Sequence, residues 1–413
     1  MAPSNRITLG FIGLGPEGKL KNLRRFMAEP DAQVVALCDV HEKRLRGAHL
    51  AMQAYAMLPS ANEYRQCLTT RDWRELIARD DIDAIVISTP DHWHALPAVA
   101  AAQAGKDVFC EKPVSLTVRE GRVISDTVRR YGRVFQVASE FRAIHSLLRA
   151  CELVRNGRLG RLNTIRTEMY RGFGFPESDI SPHWTPMSPP EGFDYDMWLG
   201  QAPEAPFTTR RCHGTSRFIF DYGGGNLTEW GPHINDIAQW GNSSDRSGPV
   251  SVDGHGVFPR RGLYNTATDF EITYEYANGV TFLCKTGGEH LHEHEGCLIR
   301  FEGTEGWLQA DGSDIEASSP RISQSVIGPE EIHLRTCREG EHRDFLNCVK
   351  ARMETYAPAE VGHRTASLLH IGNISMRLGR KLQWDPDAER FVNDDEANRM
   401  LSRPMRSPWR LEA

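Results

Sequence analysis

The apolar run Val108 to Cys110 ends in the triplet Glu111-Lys112-Pro113 before apolar residues resume. An uncompensated charge at a desolvated strand end costs several kcal/mol, so a lysine there points to a use. Pro113 keeps Lys112 out of the helical region and permits a cis bond, so the backbone sets the direction of the amine. An exposed Glu-Lys pair on a loop is the alternative reading of these residues. Further along, Glu229, His233 and Asp236 stand at i, i+4 and i+7, which places them on one helix face. An imidazole accepts a hydroxyl proton near neutrality, and a carboxylate one turn away can fix its tautomer. Pro232 is tolerated if that helix begins near Glu229, so that the proline falls in the first turn. A polar helix face packed at a domain seam is the competing reading.

GFIGLGPEG places Gly13, Gly15 and Gly18 in GxGxxG spacing between a strand and a helix. Glycine is needed there for a tight turn, for close approach of backbone to a pyrophosphate, and for free N–H groups at the helix start. Asp39 ends the second strand 21 residues after Gly18, where an acid bonds the ribose hydroxyls of NAD. Asp39 also suits an N-cap, and both roles can hold at once. Arg44 lies near enough to accommodate a 2′-phosphate, which leaves NADP open. Ligands of an open parallel sheet sit beyond the carboxyl ends of its strands. Ser88, Thr89, Pro90, His92 and His94 follow one strand and Glu111 and Lys112 another, so both sets are expected at the cofactor crevice.

Short apolar runs alternate with helical patterns through the first 140 residues, the signature of βαβ units. The strand runs are ITLGFIG, AQVVALCDV, DIDAIVIST, KDVFCEK and RVFQVAS, and helices are expected over 18–28, 41–57, 72–78, 94–104 and 117–130. Past Arg142 the texture changes. A helical segment, SLLRACELVRNG, leads into a strand, LNTIRTEMYRGFG, and then a Pro-rich stretch. FEITYEYANGVTFLC and CLIRFEGTEGWLQADG read as antiparallel hairpins, and helices return over 342–352 and 364–380 before a charged, irregular tail. The expectation is an α/β protein. Residues 1–142 form an NAD(P)-binding Rossmann domain with a doubly wound parallel sheet. Residues 143–413 form an α+β domain with a large, mainly antiparallel sheet for substrate binding and oligomerisation.

A net charge of -6 without a basic stripe argues against nucleic acid and membrane surfaces as partners. Nine scattered cysteines, never as CxxC, suit reduced thiols, and the N-terminus carries no signal pattern, so a cytoplasmic protein is expected. His290, His292 and His294 alternate at strand period. A strand spaces such residues too widely for three zinc ligands, so a polar or substrate-facing strand is expected and no metal. Arg142 could reach a polar substrate or form an interdomain ion pair.

GLGPEG, Asp39, TPDHWHA, EKP, DYDMWLGQAP (194–203) and DYGGGNLTEWGPHINDIAQW (221–240) together resemble the glucose-fructose oxidoreductase/inositol dehydrogenase/rhizopine-catabolism family of NAD(P)-dependent oxidoreductases. The resemblance covers most of the chain. It implies hydride transfer between NAD and a hydroxyl carbon of a sugar, cyclitol or related polyol. It also implies a catalytic Lys112, Glu111 beside the nicotinamide ribose, and Trp198 at the mouth of the site, although a core Trp is equally compatible. The family pattern carries D-x-x-x-H-x-x-D where this chain has Glu229, His233 and Asp236, so the longer first acid departs from it. Redox-neutral glycosidases and lyases of the family carry another triplet in place of EKP, which favours a dehydrogenase over that alternative. An NAD-responsive binding protein without catalysis is the third reading. A homodimer or homotetramer is expected, as is usual for soluble enzymes.

Overall fold

The computed structural model describes residues 5–56, 67–170, 185–287 and 297–412. The first sheet is parallel and contains β1 (Ile7–Ile12), β2 (Ala32–Cys38), β3 (Leu68–Thr70), β4 (Ala84–Ile87), β5 (Asp107–Cys110) and β6 (Phe135–Val137), in the order β3-β2-β1-β4-β5-β6. Helices α1 (Arg24–Ala28), α2 (Glu42–Ala56), α3 (Trp73–Ile77), α4 (Ala95–Gln103) and α5 (Val118–Arg130) connect its strands. All four residues of β4 and of β5 are buried, as helices on both faces require. Strand order reverses between β1 and β4, and the crevice at that switch point is where such folds bind ligands. β3 is an addition to the five expected strands. At three residues it is too short to show an alternating pattern, and it gains its place by edge pairing with β2.

The second half continues with α6 (His145–Arg155), β7 (Leu162–Met169), α7 (Tyr195–Leu199) and α8 (Asn226–Gly241). Then follow β8 (Ser251–Val257), β9 (Asp269–Glu275), β10 (Thr281–Thr286), β11 (Cys297–Gly303), β12 (Gly306–Ala310) and β13 (Ile315–Ala317). The chain closes with α9 (Pro320–Ser323), α10 (Glu341–Ala351), α11 (Ala359–Leu378), β14 (Leu382–Asp385), β15 (Arg390–Phe391) and α12 (Asp395–Arg399). Its nine-stranded sheet runs β13-β12-β11-β7-β10-β9-β8-β14-β15. Only the β7–β10 pair is parallel, so the sheet is mixed and mostly antiparallel. Both expected hairpins form, β9–β10 and β11–β12. The tail, expected to be irregular, adds an edge: β14 pairs with β8, Trp384 packs edge-on against Phe391, and both rings are buried. Burying two aromatic rings orders a segment whose charge pattern suggested none.

Helix α8 begins at Asn226, with Gly225 at φ 75° before it, so Pro232 lies inside the helix and not in its first turn as expected. The Thr228 carbonyl therefore loses its helical donor. Burial offsets that loss, because every residue from Gly231 to Gly241 is buried against the sheet and α11. Helix α10, late in sequence, packs its Phe345 and Leu346 on the first sheet beside Leu9, Phe11 and Phe109. No helix among the described residues is long and apolar enough to cross a membrane. All nine cysteines are free and buried.

The seam between the two halves is closed by α5 against α11. Arg122 binds Glu360 through Nη1 and Nη2 at 2.8 and 2.9 Å and Glu389 through Nε and Nη2 at 2.9 and 2.8 Å. His363 adds a bond to Glu389 at 2.6 Å. Burial alone would raise the Glu389 carboxyl, but the His363 and Arg122 bonds overcome it and hold it at about 2. A depressed carboxyl contributes stability that is complete above its ordinary value and lost as pH falls through its folded one. Glu389→Gln is therefore expected to lower unfolding free energy at neutral pH by about 1–3 kcal/mol. In urea titrations its deficit against the parent should narrow as pH falls from 4.5 to about 2.

Candidate active site

The glycine turn leaves β1 with Gly13 at φ 89°, and a Cβ there would stand 2.5 Å from the Ser88 carbonyl oxygen. A Cβ on Gly18 would stand 2.1 Å from the Gly13 oxygen, so the turn and the first helical residues pack backbone to backbone. At Gly15 the nearest atom to a Cβ would be an Arg44 nitrogen at 3.6 Å, which leaves its backbone facing open space. Asp39 accepts from the Leu14 amide through Oδ2 and the His41 amide through Oδ1, both at 2.8 Å, so it ties the glycine turn to the start of α2. Burial raises its carboxyl, partly countered by Arg44. The cleft above these groups is lined by Gly13, Asp39, Arg44, Ser88, Thr89, Pro90 and Trp198. Thr89 Oγ1 is buried there with no partner among the described residues. A turn no side chain could enter, an open glycine face, an acid at the end of β2 and a bare hydroxyl fit a dinucleotide.

Glu111 is held by Asn22, a buried residue of the helical segment Glu17–Leu23 that follows the glycine turn, which the sequence reading passed over. Asn22 Nδ2 donates to Glu111 Oε1 at 2.8 Å and Ser88 Oγ at 3.0 Å, and its Oδ1 lies 2.8 Å from His342 Nε2. The Lys112–Pro113 bond is cis. Lys112 Nζ donates to the backbone carbonyl of Glu229 at 3.0 Å and lies 3.4 Å from the Glu229 carboxylate. Glu229 also meets Arg217 Nη1 at 2.5 Å. Burial acts to raise the Glu229 carboxyl, and the two cations outweigh it and leave it lowered. Arg217 carried no recognisable spacing in the sequence, and only folding brings it within reach.

One helical turn beyond Glu229, His233 is 6% exposed, and its ring stacks on Phe141 at 4.7 Å between centroids. Burial, then the nearby Lys112 and Lys21 charges, lower its pKa well below the ordinary histidine value. His233 is therefore neutral near pH 7, and its buried Nδ1 has no partner among the described residues. The side chains of Lys112 and His233, from different halves of the chain, thus address the same stretch of α8.

Four expected site residues are placed otherwise. Asp236 does not orient His233. It binds Arg142 through both oxygens at 2.6 and 2.9 Å and accepts from Thr365 Oγ1 at 2.9 Å. Arg142, 2% exposed, also meets Asp245 at 3.3 Å and lies 4.8 Å from the Trp240 ring centre, so its guanidinium is occupied by the protein instead of a substrate. At i+7 Asp236 lies two turns from Glu229, deep enough for an arginine from the 3-10 turn at 140–143 to reach it first. His92 and His94, expected at the cofactor, turn inward. His92 Nε2 faces the Trp198 carbonyl at 2.9 Å, and His94 spans the carbonyls of Pro113 at 2.6 Å and Thr89 at 2.9 Å, joining the loops after β4 and β5. Trp198 both lines the cleft and packs in a core, its ring stacked on Tyr195. His290, His292 and His294 lie outside the described residues. Asp91, next to His92, was missed. Burial and the Glu229 charge raise its carboxyl to about 7, against the pull of Lys112 and Arg217. Asp91 lies inside TPDHWHA, but its spacing from the other acids and bases of the chain marks no titratable role, so the sequence reading passed over it.

Residues 7–139 match the description "Oxidoreductase family, NAD-binding Rossmann fold" and residues 149–411 "Oxidoreductase family, C-terminal alpha/beta domain". The chain is 26% identical over 334 residues to a Glycosyl hydrolase family 109 protein of Stenotrophomonas maltophilia, covering 77% of this chain and 71% of the relative. It is 38% identical over 98 residues to levoglucosan dehydrogenase of Pseudarthrobacter phenanthrenivorans, 24% of this chain and 25% of the relative. Among solved structures, the WlbA dehydrogenase of Bordetella pertussis in complex with NADH and UDP-GlcNAcA aligns with TM-score 0.65 and 17% identity, covering 92% of this chain and 99% of that one. A levoglucosan dehydrogenase complexed with NADH and L-sorbose aligns with TM-score 0.63 and 19% identity over the same shares, 92% and 99%. At these identities the structural likeness shows the fold.

Two outcomes are expected. Asp236→Ala, which leaves Arg142 buried with Asp245 alone, should cost about 3–5 kcal/mol of unfolding free energy in denaturant titrations. Asp91→Asn should remove from the pH profile of kcat/KM an ionisation near pH 7 that the parent shows, because the amide cannot titrate beside Glu229 and Lys112.

Proposed function

Because the chain belongs to the oxidoreductase family with that NAD-binding Rossmann fold and C-terminal alpha/beta domain, we propose that it is an NAD-dependent dehydrogenase acting on a CH–OH carbon of a sugar, cyclitol or sugar derivative. Residues 1–142 serve the cofactor and 143–413 the substrate. The observation that carries the reading is the contact of Lys112 with the helix turn that precedes a neutral, buried His233. NAD, when bound, accepts a hydride from the substrate carbon. The chain's own groups handle the hydroxyl on that carbon.

His233 is the base. An imidazole kept neutral by burial is in the form that accepts a proton, and the uncommitted Nδ1 is the atom to take it. Lys112 donates to the same oxygen and stabilises the negative charge that grows on it as the proton leaves. Glu229, between Lys112 and Arg217, holds the ammonium in place; it is a positioning residue. Its extra methylene relative to the family's aspartate lets the carboxylate reach Arg217 as well as Lys112. Asp39 would bond the ribose hydroxyls, and Arg44, 3.9 Å from Asp39, is the group through which a 2′-phosphate would be tolerated. Glu111, fixed by Asn22, would border the nicotinamide ribose. Support for a carbohydrate substrate comes from relatives named for levoglucosan and from solved relatives holding L-sorbose or UDP-GlcNAcA. A cytoplasmic homodimer or homotetramer is part of the same proposal.

A second reading is favoured by the long match to a glycosyl hydrolase family 109 protein: oxidation and re-reduction of one carbon around an elimination, with no net redox change. Lys112 argues for the dehydrogenase. Turnover of sugars, inositols and sugar acids with NAD should release free NADH, read by its absorbance, in proportion to product. Product formed without NADH would select the redox-neutral reading. Lys112→Ala should lower kcat by about 10²- to 10⁴-fold while NAD affinity, measured by calorimetry, stays within a few-fold of the parent. Parental turnover in that variant would remove Lys112 from the mechanism.

A further inference from the structure

A second cavity of about 320 Å³ lies away from the nicotinamide cleft, between the 3-10 turn Asp91–Trp93, the start of α5, the loop after α7, Phe220–Asp221 and the tail from Arg399 to Met405. None of Gly13, Asp39, Lys112, Glu229 or His233 lines it. Its volume is at the low end of small-molecule pockets, about 300–1,000 Å³.

Its polar walls are incompletely paired. Gln201 is 4% exposed, and neither its amide oxygen nor its amide nitrogen has a partner among the described residues. His92 is fully buried, and its Nδ1 is likewise without one. Because His92 Nε2 faces the Trp198 carbonyl at 2.9 Å, that nitrogen carries the proton and Nδ1 is left as a bare acceptor. Burial holds the ring neutral down to about 4. Each buried polar atom left unpaired costs about 1–3 kcal/mol, so three in one cavity point to something that bonds them. Charge decides its kind. Arg399 and Arg403 line the space with Asp221 and with Glu120, whose carboxyl burial raises to about 7, so opposite charges offset most of one another there and neither a strong anion site nor a cation site results. Arg403 is itself engaged by the Phe220 carbonyl and lies 3.9 Å over that ring. Leu116, Pro203 and the Phe220 ring supply apolar surface for C–H faces.

We propose that this cavity is a second binding site, for a small neutral polyhydroxylated molecule of tetritol to monosaccharide size. One hydroxyl donates to His92 Nδ1, and another donates to the Gln201 carbonyl and accepts from its amide. Occupancy braces the turn that carries Asp91 toward Glu229 and Lys112, which couples the second site to the first. The inference stands on the cavity and does not depend on the reaction catalysed.

The test is erythritol binding to the NADH-loaded protein, followed as thermal midpoint against erythritol concentration in the parent, Gln201→Leu and Lys112→Ala. A saturable rise is expected in the parent and in Lys112→Ala, with the half-saturation concentration about tenfold higher in Gln201→Leu. A rise linear in concentration, as solvent exclusion produces, would overturn the proposal. So would equal saturation in Gln201→Leu, or loss of saturation in Lys112→Ala alone, which would place the ligand in the catalytic cleft. If Gln201→Leu does not fold, crystals of the parent soaked in erythritol decide: the polyol in contact with Gln201 and His92 supports the site, and water only in the cavity sinks it.

Discussion

One contact across the seam governs the chemistry of this molecule: the Lys112 ammonium against the Glu229 carbonyl at 3.0 Å. The lysine leaves the carboxyl end of a Rossmann strand, and the carbonyl belongs to the first turns of a helix that covers a separate sheet. A shift of either layer by a single bond length would break the contact, so the two halves must keep one relative placement. The Arg122 cluster between α5 and α11 provides part of that rigidity. Gly121 provides another part, because a Cβ there would stand 2.5 Å from His363 Nδ1, so α5 can lie against α11 only where its side chain is absent.

Electrostatics and burial then divide the roles. His233 is deeply buried beside Phe141 and Trp230, and its burial and the charges of Lys112 and Lys21 all favour the uncharged ring. Glu229 is only partly enclosed, and two direct cations keep it ionised. Asp91 sits between these extremes, pushed to about 7 by burial and a neighbouring carboxylate. Three titratable groups within one site thus hold three different proton affinities, the arrangement that acid–base chemistry near neutrality requires. Arg142 and Asp236 show the opposite use of charge. Fully enclosed and mutually bonded, they act as structure, and their ion pair joins the turn after the first sheet to the helix of the second.

Much of the first layer was legible from residue order because each strand there is buried on both faces and reads as an unbroken apolar run. The glycine turn, Asp39 and the EKP triplet were legible for the same reason that they are constrained: a tight turn, a strand end and a pre-proline position each restrict residue type locally. Strands β3 and β8 were not legible. β3 is three residues long, and SVDGHGV in β8 interrupts its alternation with two glycines. One of them, Gly254, exists because a Cβ would meet Met376 of α11 at 2.8 Å, a fact of packing that no local pattern encodes.

The sequence by itself determined the fold class, the cofactor-binding turn, and the residue types able to move a proton. These depend on neighbours along the chain, within one turn or one strand. Only the tertiary structure decided which of those types face one another. It gave Asp236 to Arg142 and not to His233, turned His92 and His94 away from the cofactor cleft, and brought Arg217 and Asp91 to Glu229. Such pairings depend on distances between residues dozens to hundreds of positions apart, and those distances are fixed by how helices and sheets pack, not by the order in which their residues are written.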